Sequence, residues 1–262
     1  MIRLIASDID GTLIPYGGTA LPERLFPLIE RLHDEKGILF CPASGRQYHS
    51  LRRLFAPVAD RIGFLCENGT VVFGPGAEDS APVLSKTVIE RGEALALAEA
   101  ILAVPGCEVM ISGANMVYVC GESPAFAHEL REHLGNLVTP VSRPADVTEE
   151  IIKISAYCEA GAAVPERALR DAWGERFHVA VSGPPWLDLT PADKGTGLRG
   201  LCNALNIPLS AVMAFGDNWN DLAMLEKAGF PVLMESAPPE LLARFPLHCA
   251  DVCAVLEMLL ER

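Results

Sequence analysis

The sequence predicts an α/β fold in which a Rossmann-like parallel-sheet core is interrupted by an inserted α/β domain. Three observations predict it: strands and helices alternate from Arg3 to Cys66, a turn-rich stretch (GPGAEDSAP) follows, and the alternation returns after Thr190. Strands separated by helices are typical of βαβ units, whose strands pair in parallel. We therefore expect a discontinuous core over residues 1–81 and 190–262, and a second domain over residues 82–189.

The first part of the core is predicted from apolar runs and from helical spacing. Leucine and isoleucine recur on one face of the segment Leu21–Glu35 at the spacing of a helix. The pair Asn68-Gly69 favours a tight turn that leads Thr70–Phe73 into an antiparallel pair. The predicted strands are Arg3–Ala6, Ile38–Cys41 and Ile62–Cys66, and the predicted helices are Leu21–Glu35 and Arg46–Phe55.

The inserted domain contains paired strand-like runs with helices between them, which indicates an antiparallel sheet. Its predicted strands are Glu108–Ser112, Met116–Cys120, Ile151–Tyr157, Phe177–Val181 and Trp186–Leu189, and its predicted helices are Glu93–Ala103, Pro124–Leu134 and Pro165–Trp173. In the returning core, the predicted strands are Val212–Phe215 and Phe230–Leu233, and the predicted helices are Lys194–Leu205, Asp221–Ala228 and Val252–Leu260.

The composition excludes several classes of protein. The chain is 50% hydrophobic and 21% charged, which is typical of a globular protein, and no apolar run is long enough to cross a bilayer. The net charge of −13 disfavours binding to nucleic acid and to anionic membranes. We therefore expect a cytoplasmic protein that takes a small molecule, with no nucleic acid or membrane partner. The sequence does not indicate the oligomeric state.

The segment SDIDGT places Asp8 and Asp10 directly after the first predicted strand. Two residues apart in an extended chain, their side chains can point the same way. Carboxylates that close repel each other unless a cation or a shared proton lies between them, and hard oxygen ligands suit Mg²⁺. A helix cap and a turn would explain the same residue types.

Three further polar clusters follow predicted strands of the core. Ser44, Gly45 and Arg46 lead into a helix, where backbone N–H groups can hold an anion. Lys194 opens a later helix, and the stretch GDNWND ends another apolar strand with Asp217 and Asp221. Each cluster alone is explained by capping or by solvation. Since the carboxyl ends of parallel strands share one edge of a sheet, the four clusters together predict a binding site there.

These clusters resemble the four motifs of the haloacid dehalogenase superfamily: DIDGT, SGR, the lysine of DKG, and GDNWND. The turn ENGT and the long insertion between the second and third motifs are similar to the Cof-type sugar phosphatases, subfamily IIB, which carry a C2B cap domain. The resemblance implies a phosphatase whose catalytic core is residues 1–81 and 190–262 and whose substrate-specificity cap is residues 82–189.

The resemblance also implies a role for each motif residue. Asp8 would be the nucleophile that forms an aspartyl-phosphate, and Asp10 the acid and base. Mg²⁺ would be held by Asp8, the Asp10 carbonyl and Asp217, with Asp221 acting on a coordinated water or close by. The expected phosphate-binding residues are Ile9, Ser44, Gly45, Lys194 and Asn220.

The inserted domain would select the substrate, which we expect to be a small phosphorylated metabolite and in particular a sugar phosphate. Arg46, Asn68 and Lys153 are the candidate specificity residues. Lys153 matches a cap lysine in relatives, but a surface lysine on an edge strand would explain it equally well.

Other functions remain open at this point. A phosphomutase on the same scaffold would use the same motifs and would need a basic pocket for a second phosphate. A phospho-acceptor signalling domain is disfavoured by the Asp8–Asp10 spacing, and a non-catalytic binding protein is disfavoured because Asp8 and Asp217 are both present.

Overall fold

The computed structural model describes residues 1–120, 126, 130, 131 and 135–261, and the chain forms two compact units. The first unit comprises Met1–Ser44, Leu51–Ser85 and Asp193–Arg262. The second comprises Gly45–Ser50 and Lys86–Ala192. The grouping of Gly45–Ser50 with the second unit has no counterpart in the sequence pattern, which predicts this segment as part of the core.

The strands and helices are numbered in chain order. The strands are β1 (Leu4–Ser7), β2 (Leu39–Pro42), β3 (Phe64–Cys66), β4 (Val71–Phe73), β5 (Val83–Lys86), β6 (Cys107–Ser112), β7 (Val117–Cys120), β8 (Val138–Val141), β9 (Lys153–Cys158), β10 (His178–Gly183), β11 (Trp186–Thr190), β12 (Val212–Gly216), β13 (Phe230–Met234) and β14 (His248–Cys249). The helices are α1 (Leu25–Lys36), α2 (Tyr48–Leu54), α3 (Arg91–Leu102), α4 (Ala163–Trp173), α5 (Lys194–Leu205), α6 (Leu222–Leu225), α7 (Pro239–Leu242) and α8 (Val252–Glu261).

A five-stranded parallel sheet forms the centre of the first unit, in the order β14-β13-β12-β1-β2. All four residues of β1 are buried, which explains why its first three residues are apolar. In the register, Ser7 lies opposite Phe215 of β12 and Pro42 of β2. The three strands therefore end at one edge, and the polar residues that follow each strand begin there.

The sheet is covered by helices that bury one face each. In α1 the buried residues are leucine and isoleucine at helical spacing, and the helix ends where Gly37 adopts the left-handed conformation. Helix α5 contributes Leu198 and Leu201 to the core beneath β1 and β12. Phe55 packs with its ring centroid 6.2 to 6.4 Å from those of three other phenylalanines.

Strands β3 and β4 are antiparallel and are joined by the turn Glu67–Gly69, as the Asn68-Gly69 pair predicts. All three turn residues have positive φ, and Gly69 has φ 93°. A Cβ on Gly69 would lie 2.2 Å from the Asp193 carbonyl oxygen, so glycine is required where the turn meets the start of α5. This turn therefore fixes the helix end from which Lys194 extends.

The second unit is built on a six-stranded sheet in the order β10-β11-β9-β6-β7-β8, antiparallel except for the β7–β8 pair. Helices α3 and α4 pack on one face with the apolar side chains of β6, β9 and β11. Phe126, Tyr157 and Trp186 pack together on the other face. The predicted helix Pro124–Leu134 lies outside the described residues, apart from Phe126, Leu130 and Arg131.

The predicted fold class, a parallel α/β core with an additional α/β unit, is confirmed by this architecture. None of the helices that the described residues form has the length and apolarity needed to span a lipid bilayer.

Candidate active site

Asp8 is the first residue beyond β1, and its backbone still belongs to the sheet. Its N–H donates to the Phe215 carbonyl at 3.0 Å, so the strand geometry fixes the position of its Cα. The residue is 5% exposed, which is unusual for an aspartate. A buried carboxylate is stable only when charged or hydrogen-bonding groups compensate for its lost hydration.

Asp217 and Asp221 lie at the end of β12, beside Asp8. Asp8, Asp217 and Asp221 each have one carboxylate oxygen that lies within 4.8 Å of such an oxygen of the other two. All three residues are buried. One Asp221 oxygen accepts from the backbone N–H groups of Asp217 and Asn218, at 3.1 and 3.2 Å. Asp221 thus also caps a short 3₁₀ turn, the capping role that the sequence left open as an alternative.

Lys194 is the cation of this cluster. Its Nζ lies 2.5 Å from Asp8 Oδ1 and 2.5 Å from Asp221 Oδ1, and its side chain is 1% exposed. It is the first residue of α5, whose N-terminus is capped by the Asp193 side chain accepting from Thr196 N–H. The ammonium group therefore bridges carboxylates from the ends of two neighbouring strands.

The pKa values in the cluster are shifted because one ammonium group lies among three buried carboxylates. Burial, with the charge of Asp221 adding to it, raises the pKa of Asp8 to about 8, against the lowering effect of Lys194. Burial and then the charge of Asp221 also raise the pKa of Asp217. Burial alone would lower the pKa of Lys194, but Asp221 and Asp8 raise it above its ordinary range. One ammonium does not balance three ionised carboxylates, which favours the protonated form of Asp8 while no cation is bound.

This donor set fits a divalent cation. Carboxylate oxygens are hard ligands of the kind that Mg²⁺ takes in proteins, and three of them meet within 4.8 Å. Both Asp221 oxygens already have partners, Lys194 on one and two backbone N–H groups on the other. Both Asp217 oxygens also accept hydrogen bonds, so the existing partners do not single out one of these carboxylates as the direct ligand of a cation.

Two residues that hold Asp217 were missed by sequence reasoning. Thr12 Oγ1 donates to Asp217 Oδ1 at 3.0 Å, and the Tyr16 hydroxyl donates to Asp217 Oδ2. This hydrogen bond raises the pKa of Tyr16 to about 12, with a smaller contribution from burial. Thr12 belongs to the quoted segment SDIDGT and could have been considered, whereas nothing in the sequence connects Tyr16 with a residue so distant in the chain.

Gly11 is required by the close approach of Asp217. It has φ 97°, and a Cβ would lie 2.3 Å from Asp217 Oδ2. Any side chain at this position would displace the carboxylate, so the glycine of DIDGT has a packing reason in addition to its conformational one.

The remaining candidate site residues of the first unit differ in how far they are buried. Ile9 is fully buried, and its carbonyl accepts from Thr12 and Ile14, which closes the turn after Asp8. Ser44 is buried, and its carbonyl accepts from the N–H of Asn68. Asn68 is half-buried, whereas Asp10 and Asn220 are exposed, and Asp10 lies outside the three-carboxylate group found among the described residues.

Gly45, Arg46 and Lys153 belong to the second unit. Lys153 Nζ donates to the Gly45 carbonyl at 3.2 Å and lies 3.8 Å from Asp188 Oδ2. Lys153 is 3% exposed and β9 lies between β11 and β6, so the alternative of a surface lysine on an edge strand is wrong. Arg46 is exposed.

Comparison with known proteins assigns the family. The family model described as haloacid dehalogenase-like hydrolase matches residues 5–252 of the sequence. The chain belongs to the haloacid dehalogenase-like hydrolases. The resemblance inferred from the four motifs is thereby confirmed.

Relatives within this family are named phosphatases. The chain is 30% identical to 5-amino-6-(5-phospho-D-ribitylamino)uracil phosphatase of Escherichia coli K12, over 90% of this chain and 86% of that protein. It is 28% identical to HMP-PP phosphatase of Cronobacter sakazakii, over 94% and 89% of the two chains. The prediction of a hydrolase of the phosphatase type is confirmed by these relatives, and the phosphomutase alternative is not favoured.

Solved structures of the family share the fold over the whole chain. A protein of Eubacterium rectale superposes with a TM-score of 0.84 at 29% identity, covering 98% of this chain and 99% of that one. A sugar phosphatase of haloacid dehalogenase subclass IIB gives a TM-score of 0.79 at 21% identity, covering 98% of each chain. At that identity the second likeness concerns the fold alone.

Proposed function

We propose that the protein is a Mg²⁺-dependent phosphatase that hydrolyses a small phosphorylated metabolite through an aspartyl-phosphate on Asp8. The observation that carries the proposal is the carboxylate of Asp8, held by Lys194 at the end of β1 beside Asp217 and Asp221. A carboxylate needs no base to become a nucleophile once it is ionised, and phosphoryl transfer depends mainly on positioning and on neutralising charge.

The cation would be held by Asp8, Asp217 and the Asp10 carbonyl, with Asp221 close by. When bound, Mg²⁺ supplies positive charge that offsets the negative charge of the phosphoryl oxygens and of the carboxylates. Thr12 and Tyr16 hold the two oxygens of Asp217 and so orient this ligand.

The reaction would occur in two displacements. In the first, an oxygen of Asp8 bonds to phosphorus, the phosphorus–oxygen bond to the leaving group breaks, and Asp10 gives a proton to the departing oxygen. In the second, Asp10 takes a proton from water as the water oxygen bonds to phosphorus. The bond from phosphorus to Asp8 then breaks, which releases phosphate and restores the carboxylate.

The phosphoryl oxygens would be bound by a set of donors from the motif segments. Lys194 supplies a charged donor, and Ser44 a hydroxyl. The other proposed donors are the Ile9 and Gly45 backbone N–H groups and the Asn220 side chain.

The leaving group is proposed to be a sugar or sugar-like alcohol. Support comes from the relatives, one of which is named for a substrate with a phosphorylated ribityl chain. The other is named for HMP-PP, so a diphosphate belongs among the compounds to be tested. Arg46, Asn68 and Lys153 stay the proposed specificity residues, and residues 82–189 the proposed specificity domain. A cytoplasmic location stays a prediction.

The test is phosphate release from sugar phosphates, phosphorylated ribityl compounds and organic diphosphates, with and without Mg²⁺. Asp8→Asn should abolish release, because the amide is not a nucleophile. Asp79→Asn, at an exposed position outside the motifs, is the matched control and should retain full activity. Acid-quenched wild-type protein should carry labelled phosphate that Asp8→Asn lacks. Equal activity in Asp8→Asn and wild type would exclude the proposed nucleophile.

A further inference from the structure

Two cysteines lie opposite each other on the central strands of the second unit. Cys107 on β6 is the register partner of Cys158 on β9. The Cys158 N–H donates to the Pro185 carbonyl at 2.8 Å, and the Cys107 N–H donates to the Val104 carbonyl at 3.1 Å. Neither amide bonds to the facing cysteine, so this is a non-hydrogen-bonded pair, at which facing Cα atoms lie about 4.5 Å apart.

The side chains of this pair project from the same face of the sheet. Both cysteines are free, and the Cβ atoms of facing residues in antiparallel strands lie about 4.5–5.5 Å apart. The Cα separation of a non-hydrogen-bonded pair, about 4.5 Å, lies at the short end of the range that a disulfide spans. A disulfide between the two residues therefore requires little movement of the strands.

An open pocket gives small molecules access to the pair. It has a volume of about 630 Å³ and is lined by Pro105–Glu108 on one side and Tyr157–Ala160 on the other. Cys158 is 1% exposed, whereas Cys107 is partly exposed. A reagent that enters the pocket would therefore reach Cys107 first, with Cys158 behind it.

We propose that Cys107 and Cys158 form a redox-active dithiol that a small-molecule disulfide converts to a cross-strand disulfide. Cys107, as its thiolate, attacks one sulfur of the reagent. The reagent's sulfur–sulfur bond breaks, one thiol leaves, and a mixed disulfide remains on Cys107. Cys158 then attacks the Cys107 sulfur and displaces the second thiol. Two protein sulfurs are oxidised, the two reagent sulfurs are reduced, and both cysteine protons end on the released thiols.

The surroundings make the first step slow near neutral pH. Burial, and to a smaller extent the neighbouring Cys158 thiol, raises the pKa of Cys107 to about 12, which keeps the thiol protonated. Since the thiolate is the attacking species, the reagent needs mildly alkaline conditions and time. The second step is favoured by proximity, because the resolving thiol belongs to the residue that faces the attacked cysteine.

The test is to incubate reduced wild-type protein with oxidised glutathione at mildly alkaline pH and to measure intact mass and a non-reducing peptide map. The expected product has lost two hydrogen atoms and yields one peptide in which Cys107 and Cys158 are joined. A stable glutathione adduct on Cys107, a disulfide that involves other cysteines, or no reaction would overturn the proposal.

Cysteine variants test which thiols take part in the reaction. Cys158→Ala should stop at the glutathione adduct on Cys107, while Cys120→Ala, which removes a buried thiol from the same sheet, should form the disulfide like the wild type. Phenylarsine oxide, which binds two adjacent thiols at once, tests the geometry without oxidation. The folded wild type should bind it at the pair and lose this binding in Cys107→Ala. Equal binding by both proteins would contradict the proposed pair.

Discussion

At the scale of single residues, Lys194 is the cation that pairs with buried carboxylates of the candidate site. Its ammonium contacts Asp8 and Asp221, and all three groups are buried. A buried ion pair contributes little net stability compared with apolar residues, but removing one partner leaves the others uncompensated. The lysine therefore has a structural role that can be measured without substrate.

Lys194→Met should lower the free energy of unfolding of the metal-free protein by about 3–5 kcal/mol, since it leaves buried carboxylates without their cation. Urea unfolding would measure the loss. Lys227→Met serves as the control: it removes a lysine whose ammonium donates to the Ala223 carbonyl, and the expected change is below about 1 kcal/mol. Similar losses in the two variants would contradict the role of Lys194.

A second buried lysine lies in the second unit. Lys153 is 3.8 Å from Asp188, whose other oxygen accepts from Ser155 Oγ at 2.6 Å. All three residues are at most 3% exposed. Such a network gives Lys153 a reason to be present that is independent of any substrate.

A double-mutant cycle tests this network. Asp188→Leu and Lys153→Met should each cost about 3 kcal/mol of unfolding free energy, because each removes the oppositely charged partner of a buried charge. The double variant should cost clearly less than the sum of the two, since neither charge remains. Additive losses, measured by urea unfolding, would show that the two side chains are not coupled.

The convergence of Asp8, Asp217 and Asp221 could be anticipated because strand-end residues of a parallel sheet share an edge. Their catalytic roles stay predictions. Burial was harder to anticipate: nothing in the sequence distinguishes the buried Lys153 from a surface lysine, since this depends on which strands become central. The contact of Tyr16 with Asp217 arises from tertiary packing and has no local signal.

At the scale of elements, the turn Glu67–Gly69 determines where α5 begins. Gly69 lies against the Asp193 carbonyl, and its Cα is also 2.7 Å from the position that a Cβ on Gly197 would occupy. Two backbones pack here without side chains between them, so the spacing between turn and helix cannot be relaxed by a change of rotamer.

Gly69→Ala should therefore cost about 2–5 kcal/mol, from backbone strain at positive φ together with the clash against a backbone oxygen. Gly37→Ala is the matched control, because Gly37 has φ 65° but open space around the added Cβ. Its expected cost is about 1–2 kcal/mol. Equal losses in denaturant unfolding would mean that the contact with Asp193 is unimportant.

Strands and helices were predictable where the apolar pattern is regular, as in β1, α1 and β12. Several short elements were missed. Strand β5 lies next to the turn-rich stretch and none of its residues is buried, so it has no apolar signal. Strand β8 contains Pro140, which lowers strand propensity, yet it pairs with β7. The predicted helix Asp221–Ala228 is shortened to α6: Asp221 belongs to the preceding 3₁₀ turn, and the helix ends at Leu225.

At the scale of the whole molecule, the carboxylate cluster links ion binding to folding. The three carboxylates meet only when β1 and β12 are paired, so a cation that uses them binds the folded protein alone. Any ligand with this preference raises the stability of the protein by mass action.

Mg²⁺ at about 100 times its dissociation constant should stabilise the fold by about 2.7 kcal/mol and raise Tm by about 5–10 °C. Thermal unfolding with and without Mg²⁺, at constant ionic strength, measures this shift. Asp217→Asn should lose most of it, whereas Asp79→Asn should keep it. A shift of the same size in both variants would place the binding elsewhere.

The order of strands in the parallel sheet has a consequence for synthesis on the ribosome. Strand β1 pairs with β2 on one side and with β12 on the other, but β12 leaves the ribosome only after the whole second unit. Until then one side of a strand that is fully buried in the folded protein lacks its partner, and such edges invite aggregation. Most of the second unit is one continuous stretch, Lys86–Ala192, that can complete its sheet meanwhile. We therefore expect the nascent chain to depend most on chaperones during the interval before β12 emerges.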